Sequence, residues 1–217
     1  MKGGPIHILV LGKEGVGKTA VVVRYLTGRY LSEYAHADEN VYERTVNVDG
    51  KSVSIKITDV GGKNIERKAS NKDLLFKVDG VVVVYSVTDR HSFDVAEAIV
   101  DWMKKDQKNS FSIPIVLLGN KCDLDHSRVV AKQRSGDEED LEWRNSGYMI
   151  SDCSACSGSD TTIVKVFKKL IQKIQERREM VSKTPKKLVT NPLSSPRLLR
   201  ATLRRFSVFS RERTSSM

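Results

Sequence analysis

"LGKEGVGKTA" (residues 11–20) is a glycine-rich turn ending in Lys-Thr. Gly12, Gly17, Lys18 and Thr19 fit the spacing G-x-x-x-x-G-K-S/T. Glycines at those places let backbone N–H groups turn inward on phosphate oxygens. The lysine then reaches the β- and γ-phosphates, and the hydroxyl suits Mg2+. The apolar run "PIHILVLG" precedes the turn, and "KTAVVVRYLTGRY", with helical spacing and a stopping Gly28, follows it. One residue is out of keeping: Glu14 sets a carboxylate in the middle of a loop suited to a polyanion.

Working outward, "VYERTVNV" and "KSVSIKITD" read as two strands around a tight Asp49-Gly50 hairpin. "DGVVVVYSV" and "IPIVLLGNK" are continuous apolar runs, as in strands covered on both faces. Between them Phe93, Ala96, Ile99, Val100 and Met103 fall on one helical stripe. "SGYMISDCSA" reads as a last strand, and "TTIVKVFKKLIQKIQERREM" as a helix. That helix carries Ile163, Val166, Phe167, Leu170 and Ile174 on one side and Lys/Arg on the other. Strands alternating with helices predict an α/β domain of the P-loop NTPase fold. Its sheet is six-stranded and mostly parallel, with helices on both faces and one antiparallel edge hairpin. Ligands of such sheets bind beyond the C-terminal strand ends.

The chain has 217 residues and a formal charge of +10. Residues 182–217 hold nine Lys or Arg against the single acid Glu212, so this segment carries +8 and residues 1–181 only +2. The expected organisation is a globular domain over 1–181 and a basic, largely disordered tail over 182–217, rich in Pro and Ser. No apolar run approaches the roughly 18 residues needed to span a bilayer. The short apolar stretch near the N-terminus runs straight into the phosphate turn, so no secretory leader is expected. Three cysteines (122, 153 and 156) make a poor disulfide framework and are expected to be reduced thiols in a cytoplasmic protein. Four scattered histidines suggest no metal site.

The base is named by "LLGNKCD". Asp123 can accept hydrogen bonds from guanine's ring N–H and its exocyclic amine, a donor pair that adenine lacks. Asn120 would brace the loop, and the Lys121 stem would lie along the base. With the phosphate turn, Asp59 and Gly62 (D-x-x-G) and "CSAC", these residues make the sequence resemble the Ras superfamily of small GTPases over roughly residues 5–180. "VVVRYLTGRY", "DLDHSRVV" and "CSAC" point to the branch that contains the Ras-related, oestrogen-regulated growth inhibitor. The resemblance implies a GTP/GDP site with Mg2+. Gly12, Lys13, Glu14, Gly15, Val16, Gly17, Lys18, Thr19 and Ala20 would face the phosphates. Tyr30 would pack on the guanine edge. Ser154, Ala155 and Cys156 would form the second base loop, with the Ala155 N–H meeting guanine's carbonyl oxygen. Thr19 would bind the metal directly, and Asp59 through water.

Three parts of the family's switch are altered. Glu14 stands where Ras proteins carry glycine, beside the γ-phosphate. Ala37 falls at the place of the metal-binding threonine. Lys63 replaces the glutamine that orients the attacking water, and no glutamine occurs between residues 59 and 106 to stand in for it. Guanine nucleotide binding with slow hydrolysis and a signalling role is therefore expected. A nucleotide-insensitive adaptor working through its tail is the rival reading. A Glu14–Lys63 ion pair across the γ-phosphate site would relieve the carboxylate's repulsion. Cys156 stands in the place of a family lysine, which is expected to loosen the base loop. Cys153-x-x-Cys156 has the spacing of a redox pair, but here it overlaps the base loop and opens no helix.

The sequence ends "RERTSSM", with Thr214 at the prenylation-box position and no cysteine after Cys156, so no prenyl anchor is expected. A basic amphipathic helix near residues 196–209 would suit an anionic membrane surface or calmodulin. "RRFS" (204–207) resembles a site for a basic-directed kinase. Nucleic acid is a poor candidate, since charge alone supports it and no reading motif does. Effectors and regulators are not named by the sequence.

Overall fold

Each run read as a strand in the sequence forms one in the structure. The computed structural model describes residues 4–31, 33–34, 38–65, 77–105, 113–132 and 148–183. Among these, strands β1 (Ile6–Leu11), β2 (Glu39–Val48), β3 (Lys51–Val60), β4 (Gly80–Ser86), β5 (Ile115–Asn120) and β6 (Tyr148–Asp152) form one sheet in the order β2-β3-β1-β4-β5-β6. Only β2 runs antiparallel, paired with β3 at the edge from Glu39↔Val60 to Val48↔Lys51. The expected architecture is thus observed. Asp49 and Gly50 close this hairpin with φ of 51° and 78°, the pair of positive values that a tight two-residue hairpin requires.

Helices α1 (Lys18–Thr27) and α3 (Thr162–Lys183) cover one face of the sheet, and α2 (Arg90–Lys105) covers the other. The alternating Cβ directions of a strand divide it between two cores. Ile8 and Val10 of β1 pack with Val21 and Val22 of α1 and with Val166, Phe167 and Leu170 of α3. Leu9 and Leu11 pack instead with Phe93, Ala96, Ile99 and Met103 of α2. All five apolar positions read on each of the two long helices are buried. At about 1.5–3 kcal/mol for each large apolar side chain buried, these stripes dominate the docking of the helices.

At the N-terminal end of the sheet a latch joins α3 to β1. The Arg178 guanidinium donates to both carboxylate oxygens of Asp79, at 3.0 and 2.6 Å, and to the carbonyls of Gly4 and Pro5. At the other end the parallel strands stop together, and the loops leaving β1, β3, β5 and β6 converge. The tail helix expected near 196–209, Ser207 and Ala37 lie outside the described residues. Among the described residues no helix is long and apolar enough to cross a membrane.

Candidate functional site

The loop between β1 and α1 curls under the N-terminus of α1. Gly17, its N-cap, has φ 90° and ψ 31°, a left-handed backbone that a side chain strains. A Cβ there would also run into the Asn120 side-chain amide. Glycine at this point lets the cradle and the base loop touch. Lys18 opens the helix 7% exposed. Its ammonium donates to the Lys13 carbonyl at 3.0 Å, so it is folded back over the cradle. Burial lowers its pKa, while the nearby charges of Asp59 and Glu14 oppose that shift.

Thr19 and Asp59, the two residues expected to hold the metal, lie side by side. The Thr19 hydroxyl donates to Asp59 Oδ2 at 2.5 Å, and Asp59 is 3% exposed at the end of β3. A hydroxyl and a carboxylate are hard oxygen donors. Two of them suit Mg2+, which usually takes few protein ligands and completes its shell with water and phosphate. A cavity of about 790 Å³ opens over these groups, lined also by Glu14, Gly15, Tyr30, Tyr34, Gly62, Lys63 and Lys121. Its charged lining is Glu14, Glu33, Asp38 and Asp59 against Lys18, Lys63 and Lys121. Among the described residues the lining therefore holds four carboxylates and three ammonium groups. The sequence reading did not include Glu33 and Asp38.

The base loops are tied to the cradle by Asn120. Its side-chain N–H donates to the Val16 carbonyl at 3.0 Å, and its oxygen accepts the Ala155 N–H at 3.1 Å. A guanine carbonyl would compete with that oxygen for the Ala155 N–H. Lys121 follows with φ 69°, a left-handed conformation that costs a non-glycine residue of order 1–3 kcal/mol. Its ammonium donates to the Gly15 carbonyl at 2.7 Å, which holds it there. Asp123 is exposed, and its Oδ1 accepts the Ser154 hydroxyl at 2.5 Å. One carboxylate edge is thus oriented by β6's loop. Residues 120 and 121 are bonded to residues 16 and 15, so the loop that bears Asp123 is fastened directly to the loop after β1.

The loosening expected from Cys156 is countered by two residues that the sequence reading missed. Asp160 accepts the Ser154 N–H at 2.5 Å and the Thr162 N–H at 2.7 Å, which caps α3 and sets the loop together. Arg24 of α1 donates to the carbonyls of Ser157 at 2.9 Å and Gly158 at 2.8 Å, and to Gly28 at 2.9 Å. Asp160 just before "TTIV" carries a helix-start signal. Arg24 carries none, because its partners are remote in sequence.

The cysteine pair is not built for redox chemistry. Cys153 is fully buried, and burial, joined by nearby carboxylates, pushes its thiol well above the ordinary value. Cys122 is pushed up to about 11 for the same reasons, and Cys156 is exposed. A reactive cysteine needs the opposite, a depressed pKa in an electropositive setting.

At the far side of the cleft, Lys63 Nζ stands 3.8 Å from Glu14 Oε1, the approach expected from the sequence. Gly62, in the short 3-10 turn Gly62–Asn64, is so close to the cradle that a Cβ on it would meet the backbone N and Cα of Glu14. Lys13 pairs with Asp89 at 2.9 Å on the opposite flank. Tyr30 is 43% exposed at the cavity wall.

The Ras family model matches residues 7–176. The chain is 33% identical over 192 residues to the human Ras-related and estrogen-regulated growth inhibitor, covering 87% of this chain and 91% of that protein. It is 41% identical over 157 residues to Ras-like protein family member 11B of Danio rerio, covering 70% and 59%. It is 30% identical over 193 residues to the Ras-related and estrogen-regulated growth inhibitor-like protein of Bos taurus, covering 86% and 94%.

Proposed function

The chain belongs to the Ras family of small GTPases, and from that premise we propose that it binds GDP and GTP with Mg2+ in this cleft, hydrolyses GTP slowly and acts in signalling. The observation that carries the reading is Asn120, bonded at once to Val16 of the cradle and to Ala155 of the second base loop. One side chain thereby sets the distance between phosphate and base. Asp123, bonded to the Ser154 hydroxyl, would accept the two guanine donors. Lys18 and the N–H groups of residues 13–18 would hold the phosphates. Thr19 and Asp59 would hold Mg2+, which when bound would neutralise phosphate charge.

Slow turnover follows from Lys63. Orienting an attacking water needs a group that accepts its proton's hydrogen bond, and a lysine ammonium has three donors and no acceptor. Phosphoryl transfer rests on that positioning and on charge stabilisation. Lys63 offers charge, yet it is turned to Glu14.

The test is to denature the purified protein, identify the released nucleotide by chromatography, and titrate GDP with and without Mg2+ into wild type and Asp123→Ala. Guanine nucleotide should be released. The substitution should weaken GDP binding at least 100-fold, about 2.7 kcal/mol. Folded protein that carries no nucleotide and takes up none would overturn the reading and favour a nucleotide-insensitive adaptor.

A further inference from the structure

We propose that Glu14 takes the place and charge of a terminal phosphate, with Lys63 closed over it, so that the cleft is selective for the diphosphate nucleotide. The inference rests on the guanine-nucleotide reading above and adds a specificity determinant to it.

Three observations converge on the pair. Lys63 Nζ is 3.8 Å from Glu14 Oε1, although both side chains are substantially exposed and could turn elsewhere. Gly62 is packed against the Glu14 backbone, so the turn that carries Lys63 is seated on the cradle. Glu14 and Lys18 line the same cavity, which puts the carboxylate on the side of the cradle that the phosphate-reaching lysine serves. A β-phosphate needs only the cradle and Lys18. A γ-phosphate would have to enter beside Glu14 and displace Lys63 from it. Like charge at short range weakens binding. The diphosphate meets none of this, so the preference is a property of the third phosphate alone.

The pairing also makes Lys63 conditional. While Glu14 is present the ammonium is engaged; without Glu14 it is free to meet the γ-phosphate. The two residues should therefore act non-additively on the GTP-to-GDP affinity ratio.

The experiment measures affinities for GDP and for a non-hydrolysable GTP analogue, both with Mg2+. It uses the full chain as wild type, Glu14→Gly, Glu14→Gln, Lys63→Gln and Glu14→Gly/Lys63→Gln. Glu14→Gly and Glu14→Gln should each raise the triphosphate-to-diphosphate affinity ratio about tenfold or more. Lys63→Gln should lower that ratio more in the Glu14→Gly background than in wild type. An unchanged ratio in both Glu14 variants overturns the proposal, and equal effects of Lys63→Gln in the two backgrounds overturn the pairing. Absence of either nucleotide from every variant is a different result: it removes the guanine-nucleotide reading, and this inference with it.

Discussion

The two halves of the cleft are held by different physics. The base half is fastened by hydrogen bonds through buried or half-buried atoms: Asn120 to Val16 and Ala155, Ser154 to Asp123, and Asp160 to Ser154. The terminal-phosphate half is fastened by an ion pair whose lysine side chain is 73% exposed. Buried polar groups are costly to leave unmatched, at about 1–3 kcal/mol each, whereas exposed ion pairs contribute about 0–1 kcal/mol. The base half is therefore the more firmly fastened of the two, and the other carries the exposed Glu14–Lys63 pair. On the proposal above, recognition of a guanine nucleotide and response to its third phosphate would be separable in this chain.

The comparison can be broken most directly at Asn120. Asn120→Ala strands the Val16 carbonyl and the Ala155 N–H, two groups at roughly 1–3 kcal/mol each. It should cost about 3 kcal/mol of folding stability, read from denaturant midpoints, and weaken GDP and a GTP analogue alike. A loss confined to one nucleotide would show that the halves are coupled.

Arg24 gives a smaller, sharper test. Arg24→Ala removes three charge-assisted bonds to carbonyls, partly solvent-facing, and should cost about 1 kcal/mol. Its signature is faster release of GDP and of a GTP analogue in equal proportion, measured by displacement of a fluorescent nucleotide. A changed GTP-to-GDP ratio would place Arg24 with Glu14 rather than with the base loop.

The smallest perturbation uses the cysteines as reporters of the base half. A thiol pushed up stays protonated until the pH nears its raised pKa. At neutral pH Cys122, pushed up to about 11, and Cys153, raised well above the ordinary thiol by burial, offer almost no thiolate. Iodoacetamide followed by peptide mass spectrometry should label exposed Cys156 first. Labelling of Cys122 should rise only toward pH 11, and Cys153 should stay unlabelled until the protein unfolds. Early modification of Cys153 at neutral pH would mean that the base half opens more readily than its buried bonds imply.

Much of the fold was legible because its signals are local. Strands of four to six apolar residues, the Asp49-Gly50 turn and the two helical stripes are each decided by neighbours within a few positions, through backbone sterics and burial of one face. The phosphate turn and "NKCD" were legible for the same reason: each is a short run whose residue types stand next to one another in the sequence. Arg24 was not legible, since Ser157 lies 133 positions away, nor were Glu33 and Asp38, whose carboxylates acquire meaning only as cavity walls.

By itself the sequence determined the elements, the presence of a phosphate cradle and a guanine reader, and the substitutions that depart from the family's switch. Tertiary structure alone decided that Asn120 joins cradle to base loop, that Gly62 seats its turn on Glu14, and that Arg24 and Asp160 steady the loop bearing Cys156. The reason is physical. Local propensity is written in adjacent residues, but a hydrogen bond or charge contact between distant segments exists only once the sheet has brought the loops at its C-terminal end together.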